Sequence, residues 1–418
     1  MDTKVFEEYE SEVRSYCRSF PTVFKTAKNA EMYDEDGNRY IDFFCGAGAL
    51  NYGHNNDYIK SKIIDYINSD GIVHSLDMYT FAKREFIDYF ENKLLKPRGL
   101  NYKIQFPGPT GTNAVEAALK LARKVKGRSN VFALMGAFHG MTLGSLALTT
   151  DRSSRGGAGV DLGNVTHLPA PYMLDGLDTI DYAEMLLTDD HSATEVPAAF
   201  IIETVQAEGG IQVFGVDFLK RVREFCDKYD ILLIVDDIQV GCARTGTYFS
   251  FERAGIVPDM VTMSKSIGGY GLPFALTLLK PELDVWAPGE HNGTFRGNQI
   301  SIVAAKAGIE YLLEHEVEKQ CREKGNIAAK FIEDEILPLD SRIKYRAIGL
   351  AIGIDFTDLG GDAMSKAVMQ ACFRNGVIAE RVGRENAVLK IMPALTIEKD
   401  ILIEGFEKVK SAIEECLK

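Results

Sequence analysis

The alternation of apolar and polar residues over 31–44, broken at Asp36-Gly37, predicts a β-hairpin, because Asp-Gly supplies the backbone freedom of a tight turn. Apolar residues then recur at helical spacing over 58–67 and 80–95, and Tyr102-Lys-Ile-Gln-Phe106 follows as a short strand. From there the rhythm is strand, helix, strand, helix. Strands are predicted over 131–135, 198–202, 231–235 and 260–263, and helices over 113–125 and 217–228. Continuous apolar strands alternating with amphipathic helices require a mostly parallel sheet covered on both faces. After about Asn298 the pattern changes. A long helix over 300–314, continuing raggedly to about 336, leads to a strand-like 346–356, a helix over 362–375 and a helical C-terminus, which read as a second, smaller α+β domain. No internal repeat signals a solenoid.

Length and composition narrow the partners. A chain of 418 residues with 46% hydrophobic and 26% charged positions has enough material for two or three domains and an enclosed cleft. Its net charge of −13 sets up a field that repels phosphate backbones and anionic lipid surfaces, so nucleic acid is excluded as an expected partner. The most apolar run, Ile231-Leu-Leu-Ile-Val235, is too short to cross a bilayer. The opening Met1-Asp-Thr-Lys-Val-Phe-Glu-Glu is acidic and amphipathic, without the basic start and apolar stretch of a secretory signal, which points to the cytoplasm. The seven cysteines are widely spaced and free of CxxC, as expected of reduced thiols, and neither they nor the histidines show metal-ligand spacing; no metal is expected.

In an open α/β sheet, ligands bind beyond the carboxyl ends of the strands. Glu203 follows one predicted strand, Asp236 follows another, and Lys265 lies two residues past a third, so parallel strands bring all three to one edge. Asp236 taken alone reads equally as a turn carboxylate or as a buried acid aimed at a ligand cation. Lys265 is flanked by small residues and Gly268-Gly269; in a dry cleft a lysine loses its charge readily and becomes an amine nucleophile suited to Schiff-base chemistry. Pro107-Gly-Pro-Thr-Gly-Thr-Asn113 joins a strand to a helix, where the N–H groups of Gly111 and Thr112 and the hydroxyls of Thr110 and Thr112 can hold a phosphate on the helix dipole. A GxxxxGK[ST] loop is absent, and Gly46-Ala-Gly48 does not complete a dinucleotide fingerprint, so nucleotides are disfavoured.

A phosphate cradle, an aromatic in Phe138-His-Gly140, an acid at Asp236 and an amine at Lys265 together describe a pyridoxal phosphate site. Thr110-Gly-Thr-Asn-Ala-Val-Glu116, Phe138-His-Gly140, Glu203-Thr-Val-Gln-Ala-Glu-Gly-Gly210, Asp236-Asp-Ile-Gln-Val-Gly241 with Arg244-Thr-Gly246, Ser264-Lys-Ser266 and Thr294-Phe-Arg-Gly-Asn298 occur in one order. Over nearly its whole length the chain resembles the class III (ω-amino acid) aminotransferases of the aspartate-aminotransferase fold. The resemblance implies a large α/β/α domain over 50–300 and a small α+β domain built from 1–49 and 301–418. It also implies pyridoxal 5′-phosphate linked to Lys265, which then shuttles a proton. By the same resemblance Asp236 keeps the ring nitrogen protonated, Gln239 contacts the ring oxygen and Phe138 stacks on the ring. His139 and Glu203 join the cofactor site, and Gly111 and Thr112 bind the phosphate. Thr294 is implied to reach the phosphate of a neighbouring subunit, hence a homodimer or a dimer of dimers.

The substrate rests on departures from the family pattern. Relatives that handle γ-aminobutyrate place an arginine after the aromatic-His-Gly motif; here Met141 stands there and cannot pair with an anion. Many relatives pair the second glutamate of Glu-x-x-x-x-Glu with a late arginine that switches to bind the α-carboxylate of glutamate. Here that glutamate is Glu208 and the arginine is replaced by Lys390, a point charge without the bidentate fork. Gly46-Ala-Gly-Ala-Leu-Asn-Tyr-Gly-His54 and His291-Asn-Gly-Thr-Phe-Arg-Gly-Asn298 look most like the diaminobutyrate:2-oxoglutarate branch, which serves ectoine or siderophore pathways. The implied substrates are glutamate with aspartate 4-semialdehyde, giving 2-oxoglutarate and the diamine L-2,4-diaminobutyrate. Arg296 is read either as a carboxylate-binding residue of this branch or as an interface arginine. Ornithine, acetylornithine or 4-aminobutyrate transamination, an aminomutase or decarboxylase, and a non-catalytic binding protein stand as alternatives.

Overall fold

The structure, a computed structural model, describes residues 3–418 apart from Leu174, Asp175 and Leu177; Met1 and Asp2, which begin the acidic opening, lie outside the described residues. Seven strands form the central sheet: β1 (Lys103–Gln105), β2 (Val131–Leu134), β3 (Val165–Leu168), β4 (Ala199–Ile202), β5 (Leu232–Asp236), β6 (Met260–Met263) and β7 (Leu276–Leu279). Their order across the sheet is β1-β7-β6-β5-β4-β2-β3. All run parallel except β7, which is antiparallel to both of its neighbours. β2, β4, β5, β6 and β7 are buried at every position, as sequences such as Leu-Leu-Ile-Val require once helices cover both faces.

Helix α1 (Gly111–Lys126) shows why the layers hold. Ala114, Val115, Ala117, Ala118, Leu119, Leu121 and Ala122 form its buried face, and small alanines let the helix lie close on the sheet. Asn113 Oδ1 accepts from the Thr110 N–H at 3.2 Å and its hydroxyl at 2.8 Å at the start, and Gly127 ends the helix in a left-handed conformation. Helix α2 (Val216–Lys228) packs the same way through Leu219, Val222, Phe225 and Cys226.

Two four-stranded sheets sit beside the main one, with a two-stranded pair of Val205–Gln206 and Gln212–Val213. Phe24–Lys28, Glu31–Asp34 and Arg39–Asp42 form an antiparallel meander, the predicted hairpin included, and Val377–Ile378 adds to it in parallel with Arg39–Asp42. The opening of the chain is thus sewn into its C-terminal third. The other sheet takes Lys344–Ile348, Ala351–Asp355, Val388–Ile391 and Glu380–Val382, in that order.

Several expectations need correction. The strand predicted over 346–356 is two antiparallel strands folded back at Gly349, whose φ is +56°. A Cβ there would lie 2.4 Å from the Arg244 carbonyl oxygen, so the fold-back needs glycine. The helix predicted to run from 300 to about 336 breaks after Gln299–Glu314, where Glu316 turns left-handed at φ 48°, and a second helix starts at Val317. Strands β3 and β7 were not expected. β3 is an edge strand whose Val-Thr-His-Leu lacks an unbroken apolar run, and β7 follows a Gly-rich loop rather than a helix. No helix among the described residues is long and apolar enough to cross a membrane. All seven cysteines are free.

Candidate active site

The parallel register brings the expected residues to one edge of the sheet. Val235 pairs with Ile202 and Asp236 with Thr262, so Glu203, Asp236 and Lys265 emerge at nearly the same level. Asp236 is the last residue of β5 rather than the first beyond it. Lys265 opens a short 3₁₀ turn, Lys265–Gly268, at a positive φ of 54°, a conformation that costs a non-glycine residue energy and recurs at functional sites. A cavity of about 160 Å³ lies at this edge, with Gly111, Phe138, His139, Asp236, Gln239 and Lys265 in its wall. Glu203 and Thr112 also line it.

Each wall has a distinct chemistry. Asp236 Oδ2 lies 2.7 Å from His139 Nδ1, and the His139 side chain is fully buried. Burial lowers the pKa of His139, but the hydrogen bond and charge of Asp236 outweigh it and the net direction is up. The other oxygen, Asp236 Oδ1, accepts only a long 3.2 Å bond from the Ile238 N–H and so keeps capacity for a further donor. His139 Nε2 is buried without a hydrogen-bond partner among the described residues.

Lys265 Nζ donates to the Ala47 carbonyl at 2.8 Å. Burial pulls its pKa below the ordinary lysine value; Glu208 acts against this and Lys390 with it. Glu203 accepts from the Phe138 N–H at 3.0 Å, and burial raises its carboxyl to about 8, so near neutral pH it is largely a protonated, uncharged acid.

The end of the cavity at the start of α1 is built by close approach. Thr112 Oγ1 meets Thr142 Oγ1 at 2.6 Å and also Ser145 Oγ, and Gly140 passes so near that a Cβ would fall 2.6 Å from Thr112 Oγ1. The first N–H groups of an α-helix have no intrahelical acceptor, and those of α1 belong to Gly111 and Thr112 in the cavity wall. The helix-start N–H groups of Gly111 and Thr112, the Lys265 amine and the Asp236 carboxylate, gathered in one cavity wall, fit a pyridine aldehyde phosphate in their chemistry and charge.

Glu208 lies at the side of this cavity and lines a larger groove of about 470 Å³ that shares Phe138 with it. Its Oε1 accepts from Gln239 Nε2 at 2.9 Å and from Lys390 Nζ. Burial favours its protonated form, but Lys390 and Lys265 overcome this and hold the carboxyl at about 2. Gln239 also donates to the Ala47 carbonyl at 2.9 Å.

Two expected residues stand apart. Thr294 is exposed and lies outside the cavity of its own chain. Arg296 pairs with Asp77 and donates to the His291 carbonyl at 3.1 Å, also away from the cavity. Three participants were not foreseen. The Ala47 carbonyl is turned to Lys265 by a run of left-handed backbone over Cys45, Gly46, Ala47 and Gly48, which the glycines of Gly46-Ala-Gly48 signal. Glu380 faces Lys390 across an antiparallel pair, and Tyr16 bonds to Glu380. Gly383 and Asn386 between the two strands were a legible turn signal for that pairing.

The chain was compared with known proteins. The model of the family "Aminotransferase class-III" matches residues 14–413. The diaminobutyrate--2-oxoglutarate transaminase of Streptomyces coelicolor is 51% identical over 421 residues, covering 99% of this chain and 98% of its own. That of Halalkalibacterium halodurans is 50% identical, covering 100% and 96%. Among solved structures, an ornithine aminotransferase from Toxoplasma gondii superimposes with a TM-score of 0.85 at 22% identity over 98% of this chain and 93% of its own. An S-selective transaminase from Arthrobacter sp. gives 0.88 at 19% identity over 99% and 97%. These likenesses show a shared fold. With the family match spanning nearly the whole sequence, the chain belongs to the class-III aminotransferases.

Proposed function

We propose that the protein moves an amine from glutamate to L-aspartate 4-semialdehyde, releasing 2-oxoglutarate and forming L-2,4-diaminobutyrate. The observation that carries this reading is the joining of the Lys265–Asp236–His139 cavity to the Glu208–Lys390 pair at its side. The full-length relatives named above, by their names, act on diaminobutyrate and 2-oxoglutarate.

Pyridoxal 5′-phosphate, when bound, supplies an aldehyde carbon and a ring that draws electrons from the carbon beside the transferred nitrogen. The chain's own residues do the rest. Lys265, its amine made easier to deprotonate by burial, would hold the cofactor's aldehyde carbon and, once released, move a proton at the substrate carbon. Asp236, oriented by His139, would favour the protonated ring nitrogen. Glu203, uncharged near neutral pH, adds no second negative charge beside Asp236. Phe138 would lie against the ring, Gln239 would contact its oxygen, and Gly111 and Thr112 would hold the phosphate. Lys390 receives the substrate carboxylate as Glu208 gives way. Thr294, exposed on its own chain, would serve the phosphate of a second copy, making a homodimer or a dimer of dimers the active unit, in the cytoplasm.

The test is an assay of purified, cofactor-loaded protein with glutamate and a panel of ω-aldehydes. Diaminobutyrate is expected as the fastest-formed product; a higher rate with ornithine semialdehyde overturns the substrate.

A further inference from the structure

Lys390 has two acidic partners. Its side chain is 1% exposed, and its ammonium pairs with Glu208 and, at 2.8 Å, with Glu380 Oε2. The two carboxylates are not equivalent. Glu208 is 29% exposed and lines the groove, whereas Glu380 is 13% exposed and sits directly across the β-ladder from Lys390. Glu380 is also tied from behind, because its Oε1 accepts from the Tyr16 hydroxyl at 3.1 Å. Tyr16 comes from the opening segment, far away in the chain.

An ammonium is a point charge on a flexible stem, without the planar fork by which a guanidinium keeps one carboxylate while admitting another. Were Glu208 its sole partner, an incoming substrate carboxylate that displaced Glu208 would find a buried cation with nothing to hold it in place. A fixed second carboxylate removes that difficulty. We propose that Glu380 is a positioning residue that anchors Lys390 while Glu208 gives way to the carboxylate of glutamate, with Tyr16 bracing Glu380. This inference rests on the reading of Glu208 and Lys390 given under Proposed function.

Glutamate carries a carboxylate on the very carbon that loses its amine; the ω-carbon of the diamine carries none. The anchor therefore matters to one half of the reaction and not to the other. In the cofactor-loaded full-length enzyme, Glu380→Gln is expected to raise the KM for glutamate about tenfold while leaving the KM for diaminobutyrate within about twofold. Tyr16→Phe, which removes only a hydroxyl and serves where Glu380→Gln does not fold, is expected to raise the glutamate KM about two- to threefold. Glu380→Asp, which retains the charge, is expected to recover part of the glutamate KM. Equal rises for both substrates, or glutamate KM values unchanged in the folded variants, overturn the anchor. An unmodified enzyme that takes no amine from glutamate overturns the reading and the anchor together, whereas an active one paired with an indifferent Glu380→Gln overturns the anchor alone.

Discussion

Lys265 and Glu203 show how one cleft pushes a base and an acid toward neutral pH from opposite sides. Burial disfavours whichever form is charged, so the lysine moves down and the carboxyl moves up. For Lys265 the expected outcome is that cofactor-free protein captures the aldehyde of added pyridoxal phosphate with a half-maximal rate below the ordinary lysine pKa of 10.5, read from the yellow absorbance band. Lys265→Ala gives no such band. For Glu203 the sign runs the other way. The folded carboxyl keeps its proton to about 8, while the unfolded chain releases it near 4.5, so between those values the folded state binds more protons. Its contribution to stability, whole below 4.5, is lost as the pH rises through about 8. In cofactor-free protein, denaturant titration of Glu203→Gln should show the variant gaining on the parent across this window, and a constant difference would refute the assignment. Lys265, Asp236 and Glu203 were legible because each sits at the end of an apolar strand, where chain direction alone fixes the edge it reaches. Glu380 and Tyr16 were not, because nothing local distinguishes them until the Glu380–Val382 strand is paired with Val388–Ile391 and the opening segment is folded against it.

At the scale of elements, the turn carrying Lys265 is fixed by the helix behind it. Gly269 has φ +70°, and a Cβ there would lie 2.1 Å from the carbonyl oxygen of Ala304, within Gln299–Glu314. Backbone cannot yield as a side-chain tip can. Gly269→Ala is expected to lower stability by roughly 2–4 kcal/mol and to weaken cofactor retention, measured by the melting temperature with and without pyridoxal phosphate. The strongly periodic segments were read from sequence to within a residue or two, as α1 and α2 illustrate. The failures share a cause. β7 is fixed by pairing with the distant β1 and the fold-back at Gly349 by the close approach of the Arg244 carbonyl, and a four-residue apolar run carries no period by which to assign it.

Across the whole molecule, Arg244 is the tie between its parts. It is fully buried, it donates to the carbonyls of Leu350 (3.0 Å) and Pro393 and to Asn51 Oδ1, and its own carbonyl accepts from Cys321 Sγ at 3.2 Å. Segments from the beginning, middle and end of the chain thus converge on one guanidinium. Arg244→Leu leaves these acceptors without donors and is expected to cost about 3 kcal/mol or more, seen as a lower denaturant midpoint, and Arg244→Lys is expected to recover only part because one ammonium cannot reach all three sites. The sequence motif Arg244-Thr-Gly246 marked the position, but its partners became visible only in the folded chain.

The edge strand β1 leads directly into the loop and helix start proposed to hold the phosphate, yet its only neighbour in the sheet is β7, the last of the seven strands to be made. A ribosome must therefore have translated past Leu279 before that cradle has a wall to lean on. Vitamin capture cannot guide the early steps of co-translational folding; it can only reward a sheet that is already complete.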